Sequence, residues 1–191
     1  ELKVCQNKIQ VISSASSLKI AFSKIRLKNK YNIGYFGSLE ESKGSQFIIQ
    51  LSKKDKHNNY YIYGGDKKTI NCMKKNFEAP NLYFNKYVSY KNLKYQISKM
   101  DVLIMPSNNK VLRSVGGVGN IAKYTSPLKL FDYLASGKFI IVSNLKVLNE
   151  IIKNNKHCIV LSLNHNKWMK VLKNINKNIK KINVIKKNAH D

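Results

Sequence analysis

The sequence predicts an α/β protein, a parallel sheet with helices on both faces, and three observations carry that prediction. Short apolar runs alternate with amphipathic segments of about ten residues along most of the chain. Several runs end on Gly or Pro, as in YNIGYFG, NNYYIYGG and DVLIMPS. The last of these is apolar without alternation, which marks a strand covered on both faces.

Each element follows in order. Residues 8–13, KIQVIS, read as a short strand, and the Ser-rich stretch after them as a linker to about residue 30. YNIGYFG (31–37) is a strand followed by a turn, and GSQFIIQLSKKD (44–55) a helix with Phe47, Ile48 and Leu51 on one stripe. NNYYIYGG (58–65) is the second strand of this series; DKKTINCMKKNF (66–77) is a helix with Asp66 as its N-cap. NLYFNKY (81–87) is a strand, YKNLKYQISKM (90–100) a helix, and DVLIMPS (101–107) a buried strand. The connection over 108–125 exceeds the usual loop length, which favours a functional or mobile segment. In SPLKLFDYLASG a helix begins with Pro127 at its first position and Ser126 as N-cap, and Gly137 closes it. FIIVSN (139–144) is a strand, KVLNEIIKNN (146–155) a helix and CIVLSL (158–163) a last strand. From residue 166 onward Trp168, Leu172, Ile175, Ile179 and Ile182 recur at spacings of four and three, an amphipathic helix with a cationic outer face. The chain thus divides into a linker over 1–30, a sheet domain over 31–165 and a basic helix over 166–191.

The totals narrow the partners. The 191 residues include 35 Lys and Arg against 10 Asp and Glu, a net charge of +25. All but Arg26 and Arg113 of those cations are Lys, whereas base readout and bidentate phosphate clamping favour Arg. Lys, Asn, Ile and Tyr share AT-rich codons, so coding bias accounts for much of the charge. Nucleic acid is therefore disfavoured as a partner, and an anionic membrane surface is the stronger alternative. Three scattered cysteines without a C-x-x-C pair, and four histidines without ligand spacing, argue for reduced thiols in a cytoplasmic setting and against a metal site. The opening residues, ELKVCQNKIQ, read as the interior of a longer chain.

In a sheet of this kind ligands bind beyond the carboxyl ends of the strands. Two segments there carry chemistry. In GSLEESKG, Gly37 lets the backbone approach a ligand, and Lys43 stands beside a helix N-terminus, where an ammonium and free N–H groups suit a phosphate. In SPLKLFD, Lys129 lies in the first helical turn, against the helix dipole, and so asks for an anion. Asp132, three residues on, either pairs with Lys129 on a solvated face or accepts the vicinal hydroxyls of a ribose. GGVG (116–119) is not a dinucleotide fingerprint, since it lacks the third glycine and does not follow a strand directly.

The order GYFGSLEESKG, YIYGGD, NLYFNKYVSY, DVLIMPS and YTSPLKLFDYLASGKFIIVSNLKVLNEII resembles the carboxyl-terminal domain of family 4 glycosyltransferases of the GT-B fold, over about residues 8–180. The resemblance implies a Rossmann-like domain that binds a nucleotide-sugar donor, UDP- or GDP-linked, with no further cofactor. It places the diphosphate on Gly37, Ser38, Lys43 and the SPLK segment of Ser126, Pro127, Lys129 and Leu130. A basic residue is usual where Ser38 stands, and Lys129 would supply the missing charge. Asp132 falls where the family reads the ribose, usually with Glu, and Tyr124 stands where many members have a Glu against the donor sugar. The acceptor, a glycan or lipid-linked glycan, and the catalytic histidine belong to an amino-terminal domain outside this sequence, so the fragment alone should transfer nothing. The reaction implied retains anomeric configuration and needs no metal, and it belongs to cell-envelope polysaccharide or glycoconjugate synthesis at the inner face of a membrane. Ser38 and Tyr124 also suit a rival reading, a catalytically inactive nucleotide-binding or scaffolding domain.

Overall fold

The computed structural model describes residues 14–108, 111, 113, 119–122 and 127–191. Six strands form one parallel sheet: β1 (Asn32–Phe36), β2 (Asn59–Tyr63), β3 (Leu82–Asn85), β4 (Val102–Met105), β5 (Phe139–Ser143) and β6 (Ile159–Leu161). Their order is β3-β2-β1-β4-β5-β6, the doubly wound arrangement. The winding reverses between β1 and β4, whose registers place Ile33 opposite Val102. The crevice at that switch point is where such sheets bind ligands.

The alternating pleat explains the continuous apolar runs. In β5, Phe139 and Ile141 enter one core while Ile140 and Val142 enter the other, so both sets must be apolar. The first core takes Ile48, Ile49 and Leu51 of α1 (Ser45–Lys54) and Ile70 of α2 (Lys67–Asn76). The second takes Ile97 of α3 (Tyr90–Ser98), and Leu130 and Tyr133 of α4 (Leu128–Ala135). Asp66 caps α2 as its spacing predicts, accepting the Thr69 N–H at 2.7 Å.

Three local expectations need correction. The segment 146–155 forms only a 3-10 turn, Lys146–Glu150, because the asparagines after it are used elsewhere. Asn155 takes a positive φ of 60°, and Asn154 Oδ1 accepts the Val160 N–H at 2.9 Å. The tail is two helices, α5 (His165–Lys173) and α6 (Ile179–His190), not one. Asn174 and Asn178 turn their side-chain amides onto the Lys170 and Asn174 carbonyls, competing with the helical ladder between them. The apolar stripe survives the break: Trp168, Leu172, Ile175 and Ile182 all enter the first core, and Ile179 packs against it. Finally, α4 starts at Leu128, with Pro127 before the first helical residue rather than in it.

Asn164 caps α5 by accepting the Lys167 N–H. Asn164→Ala should cost about 1 kcal/mol, a fall of roughly 2–4 °C in Tm measured by circular dichroism.

The strand expected over 8–13 lies outside the described residues, as do most of the 108–125 connection, Tyr124 and Ser126. The stretch 14–28 has no regular structure, yet it is tied to α6. Ile25 exchanges backbone hydrogen bonds with the Asn183 side chain at 2.8 and 3.2 Å. Among the described residues no helix is long and apolar enough to cross a membrane.

Candidate functional site

The carboxyl ends of β1 and β4 and the start of α4 converge on one cleft. Its floor is set by tyrosines. Tyr133 of α4 receives the Phe36 N–H on its hydroxyl at 2.9 Å, which pins the helix to the end of β1. Tyr35, fully buried, donates its hydroxyl to the Ser38 carbonyl at 2.8 Å and so shapes the turn after the strand. Burial pushes the pKa of both phenols up, which keeps both protonated.

Above that floor lies Lys129. Its Nζ sits 4.2 Å from the centroid of the Tyr35 ring, a cation–π contact. It also occupies the space a side chain at residue 37 would need: a Cβ built on Gly37 would lie 2.3 Å from Nζ. Lys129 is therefore turned toward the β1 turn. Burial, reinforced by the charge of Lys43, pushes its pKa down to about 7. Two lysines from separate elements thus face one region and repel each other there, a disposition that an anion would relieve.

Lys43 is positioned by a 3-10 turn, Glu41–Lys43, that leads into α1. Gly44 joins the two with a left-handed φ of 90°. It packs so closely on β4's exit that an added Cβ would stand 2.0 Å from the Pro106 carbonyl oxygen. The Asn108 N–H donates to the Ser42 carbonyl at 2.9 Å, closing the crevice between the β1 and β4 turns.

Asp132 and Lys129 form no ion pair, although both line one pocket. The Asp132 Oδ1 accepts from Ser16 Oγ at 2.7 Å and from the Tyr90 hydroxyl at 3.4 Å. The pocket beside them, about 200 Å³, is lined by Phe36, Tyr63, Tyr87 and Val88 as well as Gly37, Lys129 and Asp132. Phe36 and Tyr63 stack with centroids 4.6 Å apart, giving it a flat aromatic wall. A lysine, a carboxylate and aromatic rings lining one pocket make a site for a ligand with an anionic group, hydroxyls and a planar ring.

Of the residues singled out in the sequence, Gly37, Lys129 and Asp132 line this pocket; Ser38 follows Gly37 in the β1 turn held by Tyr35, and Lys43 acts on Lys129 through its charge. Pro127 precedes α4 at the rim. Leu130 is fully buried in the second core, and its N–H is taken by the Pro127 carbonyl at 2.7 Å. It anchors the helix rather than facing the cleft. Tyr124 and Ser126 fall outside the described residues. Tyr35, Tyr133, Tyr90 and Ser16 were not anticipated. The tyrosines carry no sequence signal distinct from core aromatics, and Ser16 lies 116 positions from the carboxylate it meets.

A doubly wound α/β domain with its polar cleft at the switch point defines the structural class. Residues 18–191 match the family described as glycosyl transferases group 1, and the chain belongs to that family. Comparison with curated protein sequences gives no match. Among solved structures, the chain resembles HepE from Anabaena in complex with UDP-glucose, with a TM-score of 0.64 at 12% identity, covering 85% of this chain and 43% of that one. It also resembles the C-terminal domain of LpcC, a glycosyl transferase group 1 family protein from Francisella tularensis, with a TM-score of 0.61 at 16% identity over 84% and 83%. WaaG, a glycosyltransferase involved in lipopolysaccharide biosynthesis, gives 0.62 at 12% over 86% and 42%. These likenesses establish the GT-B glycosyltransferase domain fold, in its carboxyl-terminal half. The chain spans under half the length of HepE and WaaG.

Proposed function

We propose that this chain is the donor-binding half of a family 4 glycosyltransferase and that its cleft holds a nucleoside-diphosphate sugar, with UDP as the nucleotide. The observation that carries the reading is Lys129, held against the β1 turn with its pKa down to about 7 beside Lys43. Two ammonium groups, together with the N-termini of α1 and α4, suit the two phosphates of a diphosphate and would stabilise it as it leaves. Lys129 compensates for Ser38, which can only donate and accept hydrogen bonds. This favours a working donor site over the inactive-domain reading.

Asp132 takes the ribose hydroxyls. Ser16 and Tyr90 both meet Oδ1, which orients the carboxylate and leaves Oδ2 to the ligand. The aromatic pocket receives the base, as its flat Phe36–Tyr63 wall suits a planar ring. HepE, whose structure is described with UDP-glucose, supports UDP over GDP. The transfer would retain anomeric configuration and proceed without a metal, the cations replacing one. The acceptor, a glycan or lipid-linked glycan, and the catalytic group would come from an amino-terminal domain. WaaG's role in lipopolysaccharide synthesis favours a cell-envelope product made at the cytoplasmic face of a membrane.

Calorimetric titration with UDP, GDP, ADP and inorganic pyrophosphate tests the site. UDP should bind most tightly. Asp132→Ala should weaken UDP about tenfold, or ~1.4 kcal/mol, while leaving pyrophosphate unchanged, because only the nucleoside offers hydroxyls to a carboxylate. Failure of every nucleotide to bind would sink the proposal.

A further inference from the structure

We infer that the opposite pole of the sheet carries a second anion site, between the stretch 23–28 and the body of the domain, for a small phosphate-bearing ligand. Its residues do not overlap those of the donor cleft, and it does not depend on the donor reading. A cavity of about 780 Å³ opens there, lined by Lys24, Arg26 and Lys28 from the amino-terminal stretch, Lys138 just before β5, and Lys186 of α6. Asp101, just before β4, also lines it. Because all strands are parallel, the starts of β4 and β5 lie at the pole away from the cleft.

The charges in this cavity are unbalanced. Five cations meet one carboxylate, and that carboxylate is already engaged on both oxygens. Asp101 Oδ1 accepts from Lys28 Nζ at 2.6 Å, and Oδ2 accepts the Asn32 N–H at 2.9 Å. Lys186 is only 2% exposed, a rare condition for a lysine. Its Nζ donates to the Ser23 carbonyl at 2.8 Å, and Lys138 donates to the Ser98 carbonyl at the end of α3, at 2.9 Å. These are the hydrogen-bond acceptors seen for the two among the described residues, and an ammonium has three protons to give. Burial and then the charge of Lys138 push Lys186 down to about 8, against the pull of Asp101. Lys138 is lowered chiefly by burial.

A multiply charged oxyanion resolves this arrangement. It can take the remaining ammonium protons of Lys138 and Lys186 from the body and meet Lys24 and Arg26 from the stretch 23–28. Bound in this way it bridges the two. The requirement is for phosphate chemistry with more than one negative charge, which a free phosphate or pyrophosphate and a phosphomonoester lipid headgroup share.

Inorganic pyrophosphate is the probe, titrated by calorimetry into the wild type, Lys129→Met, Lys138→Gln and Arg26→Gln, with Tm recorded for each. Vesicles of phosphatidylcholine with and without phosphatidic acid form the second arm, read by co-sedimentation. The expected result is a pyrophosphate equivalent that survives Lys129→Met. Lys138→Gln and Arg26→Gln should each weaken it at least tenfold, with Tm and UDP binding unchanged. If only vesicle binding drops in Lys138→Gln and Arg26→Gln, the site is real and its source is a lipid headgroup. Pyrophosphate and vesicle binding that neither substitution alters would overturn the proposal, whatever Lys129→Met does to UDP.

Discussion

Replacing Lys129 by methionine should weaken the binding of UDP-glucose by roughly 30- to 150-fold, or about 2–3 kcal/mol, the value of a charge-assisted hydrogen bond to a phosphate in a partly buried site. The methionine keeps the apolar stem that packs over Tyr35 and removes the ammonium, so Tm should hold or rise. The rise has a physical source. The folded chain holds the Lys129 proton less tightly than an unfolded chain does, since burial and Lys43 bring its pKa from 10.5 to about 7. Folding is therefore penalised below about pH 7, and the penalty fades as pH climbs toward the ordinary lysine value. A bound diphosphate reverses the shift. Affinity should be flat below about pH 7 and fall above it by up to tenfold per unit, as binding must then take up a proton. UDP-glucose suits the measurement, because its diphosphate diester does not titrate in that range. Calorimetry in buffers of different ionisation enthalpy reads the proton uptake directly. A wild type with no such pH dependence, or a Lys129→Met variant that keeps it, would show that the ammonium does not meet the ligand.

The layers of this fold are legible in the sequence because the central strands bury both faces. Residues such as Phe139 to Val142 had to be apolar at every position, and so short a run, rich in β-branched residues and preceded by Gly137, reads as a strand. Asp66 was legible for a similar reason, since a cap is a local device and its partner is three residues away. Two of the three errors came where asparagines decide the backbone. The tail carries a sound helical stripe, yet Asn174 and Asn178 divert backbone carbonyls, and a hydrophobic pattern holds no record of that competition. The site divides along the same line. Lys129 stands out because a cation in a first helical turn opposes the helix dipole and asks for a reason, Lys43 because it stands beside the start of α1, and Asp132 because it lies one turn from Lys129 in a chain poor in acids. Tyr35 and Tyr133, which hold the β1 turn and fix α4 to it, look like any buried aromatic until their hydroxyl partners are seen. Ser16 meets Asp132 only through the path of the chain across the domain.

Two glycines at this site weigh binding and folding differently, and alanine should tell them apart by what its methyl meets. At Gly37 the new methyl would meet Lys129 Nζ at 2.3 Å and Cε at 2.9 Å, the far end of a flexible side chain. The lysine can swing away, but the φ of 157° is one that side chains rarely adopt, so alanine also strains the backbone there. Gly37→Ala should thus lose at least tenfold in UDP affinity, with a smaller fall in Tm than the same change at Gly44. At Gly44 the methyl would meet the Pro106 carbonyl oxygen at 2.0 Å, and the φ of 90° is itself strained for alanine. Neither can yield without moving the junction of the 3-10 turn with α1 or the exit of β4. That strain costs about 1–2 kcal/mol before any backbone shift. Gly44→Ala should therefore lose about 3 kcal/mol in all, a fall in Tm of roughly 6–12 °C. Denaturant unfolding and UDP titration on the same two proteins would test the pair. Equal losses of stability in both would mean that Lys129 is rigidly held against the β1 turn, and that the cleft cannot be altered there without the fold.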